Sequence, residues 1–344
     1  MSSSKRTKLN LQNKHHSRSN TKKHSKNINL QKTSQKQSSQ HQQKQQQSNP
    51  LNLIIGCHAS ITPSVLEGIR YAHSIGANAA QIFLGSNRQA SIKSKTHLTP
   101  EDIREIRQFL KQSGMYLIIH SIYLLNLCKA PPTSGRVKWM HDNILHDMKY
   151  GAILGANIVV LHLGSRLDMP VEEALDNLIA NINYIVAHAP SGIKLSLETA
   201  AGSGSQVGYT LEELSQIWNG IRHHGHSKIG ICIDTAHIFV AGEDICTPIG
   251  INTYLRRFNE LIGIKYITNF HINDSRYPKG SRHDEHRGIG TGLIFNTQHG
   301  MTSLKTITRF ARKYKIPLIL ETHSAASPSS EKGYEHEISL IKKL

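Results

Sequence analysis

"LNLIIGCHASITPS", residues 51–64, decides the fold. Its first half is an apolar, β-branched run ending on His58, and its second half is the turn that leaves that run. In an open, doubly wound sheet this first turn carries glycines spaced so that backbone amides can approach a pyrophosphate. Here the turn reads "GCHASITPS" and lacks that spacing. The open sheet loses its main signature at the first opportunity, which favours a closed β/α barrel.

The same kind of run recurs along the chain: "AAQIFLG", "YLIIHSIY", "NIVVLHLGS", "IKLSLETA", "KIGICIDTAH", "YITNFHIND" and "IPLILETH". Strands apolar along their whole length, separated by helical stretches, indicate a parallel sheet covered on both faces. About eight such units fit the usual size of a (β/α)8, or TIM, barrel, near 250 residues. Among the helical stretches, "TPEDIREIRQFLKQSG" (99–114) is the clearest. Thr99 is its expected N-cap, Pro100 opens the first turn and Gly114 follows its end. "PVEEALDNLIANINYIVAHA" and "TLEELSQIWNGIRHH" follow the same grammar.

Charge divides the 344 residues into two parts. Residues 1–50 hold eleven of the 41 Lys and Arg and no acid, leaving +6 of the net +17 to residues 51–344. The first part is rich in Gln, Ser and Lys and nearly free of apolar side chains, so a disordered basic arm is expected over 1–50. Such an arm attracts polyanions, nucleic acid foremost. Residues 51–344 form the expected barrel domain. Four dispersed cysteines without a CxxC pair argue for a reducing compartment. No apolar run approaches the roughly 20 residues that cross a bilayer. A soluble, intracellular monomer without membrane contact is expected, with a nuclear or other DNA-containing compartment left open.

In a barrel, reactive groups gather at the carboxyl ends of the strands. Here His58 ends the first run, His120 and His162 lie in the third and fourth, and Glu198 ends the fifth. Asp234 and His237 close the sixth, His271 the seventh and Glu321 the eighth. The glycine-broken stretch "HINDSRYPKGSRHDEHRGIG" (271–290) adds Asp284 and His286, two residues apart and so on one side of an extended segment. Nine of these side chains are the strongest ligand candidates: His120, His162, Glu198, Asp234, His237, His271, Asp284, His286 and Glu321. Imidazoles mixed with carboxylates suit zinc or manganese. A single catalytic zinc takes three protein ligands, so nine suffice for two or three ions with one carboxylate shared. Clustered metals serve in-line displacement at phosphorus. A phosphate-cradling GxxxxGK loop and a GxSxG nucleophile elbow are both absent.

Four separated motifs in order, "LETAAGSGSQVG" (197–208), "CIDTAHIFVAGEDI" (232–245), "HINDSRYPKGSRHDEHRGIGTG" (271–292) and "LILETH" (318–323), resemble the endonuclease IV family. Its members are zinc-dependent apurinic/apyrimidinic (AP) endonucleases of base-excision repair. "QIFLGSNRQ", "HSIYLLNL" and "VVLHLGS" fit as well, and the resemblance runs from about residue 53 to the end. It implies a barrel holding three Zn2+ ions. His120 and His162 resemble ligands of the first ion, and Glu198 the carboxylate bridging first and second. Asp234, His271 and Glu321 resemble the rest of the second site, and His237, Asp284 and His286 the third. The implied reaction is hydrolysis 5′ to an abasic site in double-stranded DNA by metal-generated hydroxide, with Glu198 central. It leaves a 3′-hydroxyl and a 5′-deoxyribose phosphate, as deoxyribonuclease IV (phage-T4-induced) enzymes do. Removal of 3′-blocking groups is implied too. Arg88, Tyr123 and Leu124 match positions that the family inserts into the duplex. Two rival readings are a metal-dependent sugar isomerase or epimerase, which uses fewer metals, and a DNA-binding barrel that keeps metal for structure only.

Overall fold

The computed structural model describes residues 53–86, 89, 91, 95–322 and 333–344. The expected basic arm over 1–50 lies outside them, and so does Arg88. Eight parallel strands close into a barrel: β1 (Ile55–His58), β2 (Ala79–Phe83), β3 (Tyr116–His120), β4 (Ile158–His162), β5 (Lys194–Glu198), β6 (Ile229–Asp234), β7 (Ile267–His271) and, late in the chain, β10 (Leu318–Leu320). Two short segments between them, β8 (Asp274–Ser275) and β9 (His286–Arg287), pair antiparallel at the mouth. The fold is the expected TIM barrel.

The helices begin where the sequence supplies caps. After α1 (Val65–Ser74), α2 (Pro100–Ser113) opens on Thr99, whose side chain accepts the Asp102 amide while the Asp102 carboxylate accepts the Thr99 amide. This reciprocal pair satisfies two donors that a bare helix start would leave open. Gly114 ends the helix in the left-handed region, at φ 67°. Then come α3 (Gly135–Leu154), α4 (Val171–His188) and α5 (Leu211–Gly220). α5 stops before the "IRHH" that its periodicity includes. Asn183 of α4 donates to the Gly220 carbonyl (3.1 Å) and accepts the Arg222 amide (2.9 Å), and a 3₁₀ segment, His223–Lys228, follows. A tertiary side chain thus ends this helix. The remaining helices are α6 (Thr235–Ala241), α7 (Pro248–Leu261), α8 (Gly300–Tyr314) and α9 (Gly333–Lys342). None of the described helices is long and apolar enough to cross a membrane.

Side chains of a strand return to the same face every second residue. Ala79, Ile118, Ile158, Val160, Cys232 and Ile319 form a small inner cluster of their own. Two positions further along the same strands or their ends stand Gln81, His120, His162, Asp234 and Glu321. The alternate residues, such as Leu117, Ile119, Val159, Leu161, Leu195 and Leu197, join the outer core shared with the helices. Register aligns the polar ends: His162 pairs with Glu198, and Asp234 with His271. Below the ligands the interior is mostly apolar, with Ser196 and Asn269 paired to each other beneath Glu198 and His271.

The 271–295 segment is held by one buried carboxylate. Asp274 accepts backbone amides from Ser275 (2.9 Å), Gly290 (3.0 Å), Gly292 (3.0 Å), Ile294 (2.8 Å) and Phe295 (3.3 Å). A Cβ on residue 292 would sit 2.5 Å from Asp274 Oδ1, so only glycine leaves room for that approach. Removing the carboxylate strands several buried donors, each worth about 1–3 kcal/mol when unmet. Asp274→Ala should lower unfolding free energy by about 3 kcal/mol in denaturant titration. A loss below about 1 kcal/mol would show that other contacts hold the segment.

Candidate metal centre

All nine candidate ligands meet at the carboxyl mouth of the barrel. Ligand atoms fall into three overlapping groups, each within 4.8 Å: His120, His162 and Glu198; Glu198, Asp234, His271 and Glu321; and Asp234, His237 and His286. Asp284 joins the last through Oδ2, 3.1 Å from His237 Nε2, and Oδ1, 3.2 Å from His286 Nε2. The i, i+2 spacing of Asp284 and His286 does place them on one side.

Glu198 ties the groups together. Its Oε2 lies 3.0 Å from His162 Nε2 and 3.4 Å from His120 Nε2. Its Oε1 lies 2.9 Å from His271 Nδ1 and 3.6 Å from His237 Nδ1. Strand ends β3, β4, β5 and β7 and the start of α6 thus converge on one buried carboxylate.

Outer contacts orient several imidazoles. His120 Nδ1 donates to the Ser121 carbonyl at 2.7 Å, and His237 Nδ1 to the Thr199 carbonyl at 2.8 Å. Each bond commits Nδ1 to a carbonyl and leaves Nε2 as the nitrogen that faces the mouth. Asn273 holds two acidic candidates at once: its Nδ2 donates to Asp234 Oδ2 (2.7 Å) and its Oδ1 accepts the Glu321 amide (2.9 Å). Sequence gives no sign of these roles for Asn273 and Thr199, because nothing in "HIND" or "LETA" separates an orienting group from a loop residue. His58, which ends β1 and stands outside the nine, has its Nδ1 3.5 Å from Glu321 Oε1.

The donor chemistry fits a cation. His120 Nε2, Glu198 Oε2 and His286 Nε2 are buried without a hydrogen bond, although each faces an oppositely disposed partner at 3.0–3.7 Å. Burial opposes ionisation of Glu198, but the His271 and His162 imidazoles outweigh it and hold the carboxyl well below its usual range. Burial also works against charge on His237, yet Asp234 and Asp284 raise it well above the imidazole range. At these distances the carboxylate–imidazole pairs set negative and positive charge face to face where a metal would neutralise the same carboxylates. Nitrogen and oxygen donors with five imidazoles match zinc or manganese better than magnesium or calcium. Cys232 also lies within reach of Glu198 and His271, but burial pushes its thiol up to about 12, so it stays protonated.

Tyr123 and Leu124 stand on the rim, 48% and 47% exposed. The Tyr123 ring packs 5.2 Å from His162 and 5.5 Å from His120, centroid to centroid. With His162, Gly164, Ala200, Gln206 and His237 these two line a cavity that opens beside Glu198.

Residues 69–344 match the family model described as a xylose isomerase-like TIM barrel. A protein of Acanthamoeba polyphaga mimivirus bearing the name endonuclease 4 is 31% identical over 296 residues, which cover 84% of this chain and 92% of that protein. Endonuclease IV from Thermus thermophilus superposes with a TM-score of 0.68 at 26% identity, over 84% of this chain and 99% of that one. A D-tagatose 3-epimerase-like protein shares the fold at a TM-score of 0.61, with 20% identity and coverage of 84% and 98%. Motif order, fold and these likenesses agree, and the chain belongs to the endonuclease IV family of AP endonucleases.

Proposed function

We propose that this protein is a DNA repair endonuclease that hydrolyses the phosphodiester 5′ to an abasic site, leaving a 3′-hydroxyl and a 5′-deoxyribose phosphate. Removal of 3′-blocking groups would use the same site. The observation that carries the reading is the carboxylate of Glu198, whose two oxygens face separate sets of imidazoles. A group so placed can be shared between ions, and a barrel mouth with nine donors exceeds what one metal needs. Three Zn2+ ions are proposed: the first held by His120, His162 and Glu198; the second by Glu198, Asp234, His271 and Glu321; the third by His237, Asp284 and His286. When bound, they supply Lewis acidity at a phosphoryl oxygen and hydroxide near neutral pH.

The chain's own groups do the rest. Glu198, buried and with its carboxyl held well below the usual range, stands between the two sets of imidazoles and would hold the metal there. Tyr123 and Leu124 project from the rim, where an amphipathic ring and an apolar wedge can enter a duplex left unstacked at a missing base. Arg88 is proposed as their cationic companion, and the eleven basic residues of the arm as phosphate contacts. The epimerase alternative has a fold relative in its favour. Against it stands the number of ligands around Glu198, which a small-sugar site does not need.

Incision of a labelled abasic duplex, with and without a strong zinc chelator, tests the reading. Full activity in the chelator would refute metal dependence. Metal analysis of the purified protein should find close to three zinc ions per chain, and one or none would exclude the cluster. Glu198→Gln should slow incision by on the order of a thousandfold, the loss expected when several kcal/mol of transition-state stabilisation go, while DNA binding stays measurable. Retained turnover would remove Glu198 from its central place. Deleting residues 1–50 should flatten the salt dependence of DNA binding by about one unit of slope for each phosphate that the arm neutralises. An unchanged slope would make the arm irrelevant to affinity.

A further inference from the structure

Among the buried polar side chains of the barrel interior that belong to none of the ligand groups, one touches ligand side chains directly through both ends of its amide. Gln81 interrupts the apolar strand β2 and is 0% exposed. Its amide touches three partners at the floor of the metal centre. Nε2 lies 2.6 Å from Glu321 Oε1 and 3.0 Å from His58 Nδ1, while Oε1 lies 2.9 Å from His271 Nε2.

The chemistry of the partners fixes which way this amide points. An ionised carboxylate only accepts hydrogen bonds, so the end of Gln81 facing Glu321 must be the NH2 group. The flipped amide would set two oxygens 2.6 Å apart. With the NH2 committed to Glu321 and His58, the amide oxygen faces His271 and must receive a proton from it. His271 therefore carries a proton on Nε2 that stays with the amide, so Nδ1 is the nitrogen from which a metal would displace the proton shared with the carboxylates. Nδ1 is the atom that meets Glu198 Oε1 at 2.9 Å and Glu321 Oε2 at 3.0 Å. His120 and His237 receive the same service from backbone carbonyls, which no substitution removes. At His271 the service comes from a side chain.

We propose that Gln81 is a positioning residue of the metal centre: it sets the tautomer of His271 so that Nδ1 is its metal donor, and it aims the Glu321 carboxylate at the same ion. This rests on the metal-site reading above. Through one rigid amide, two ligands from β7 and the end of β10 share a common orienting group on β2. Such outer contacts typically change metal affinity by about 10–100-fold when removed.

The test reads His271 and the metal, not DNA cleavage. In 15N-histidine NMR of the zinc-loaded wild-type protein, His271 should show a proton on Nε2 and none on Nδ1. An unprotonated Nε2 would overturn the proposal. Gln81→Met keeps the length and removes both polar contacts. Chelator competition should show one ion released about 10–100-fold more readily, the others unchanged, and the His271 signal shifted. Unaltered affinity with an unaltered signal would overturn the proposal. Gln81→Glu keeps an acceptor for His271 but opposes Glu321 with an oxygen. It should preserve the tautomer and still weaken the ion, a separation that simple loss of packing would not produce, and it serves if Gln81→Met fails to fold. Melting curves taken alongside separate stability from tautomer. A protein that behaves in this way yet leaves abasic DNA intact would sink the nuclease reading alone.

Discussion

Every second side chain of a strand faces the barrel axis, and closure of eight parallel strands turns that period into a vertical ordering of chemistry. Ile118 lies below His120, Val160 below His162, Cys232 below Asp234 and Ile319 below Glu321. The lower members pack with one another and exclude water. The upper members could not persist in that setting if each stood alone, since a buried charge without a partner is strongly destabilising. They are tolerable because parallel register brings them to one level, where carboxylates and imidazoles face each other across a few ångströms.

That arrangement could hold a cation. Glu198 illustrates the balance: burial opposes its charge, and only the surrounding imidazoles keep it ionised. His120 Nε2, His286 Nε2 and Glu198 Oε2 are buried there without a hydrogen bond. A set of donors so tightly confined has the chemistry of a candidate coordination sphere. Backbone carbonyls at Ser121 and Thr199 and the side chains of Gln81 and Asn273 hold the donors in place from behind. Orientation from behind is what allows a metal to find its ligands without rearranging the barrel.

The mouth is also shaped by what surrounds it. Asp274 draws five backbone amides onto one carboxylate and so curls the glycine-rich segment that carries Asp284 and His286 toward the axis. On the opposite rim Tyr123 leans over His120 and His162 while leaving nearly half of its surface open. The candidate metal ligands and the exposed aromatic ring thus share a wall of the mouth.

From sequence alone came the barrel, the limits of α2 and the identity of all nine candidate donors, because each depends on local signals. An apolar run, a Thr-Pro cap and a His or Glu at a strand end are visible within a few residues. The early end of α5 is not visible there, since Asn183 of a different helix imposes it. Nor is Gln81, whose only trace is a polar letter inside "AAQIF" and whose partners lie 190 and 240 residues away. Asp274 stands in its motif among equally plausible ligands, and only the folded chain turns it into a staple. Which atom of each imidazole faces the centre, and which carboxylate is shared, follow from strand register and closure. Those are properties of distances between remote segments, and a linear sequence does not encode them in any one place.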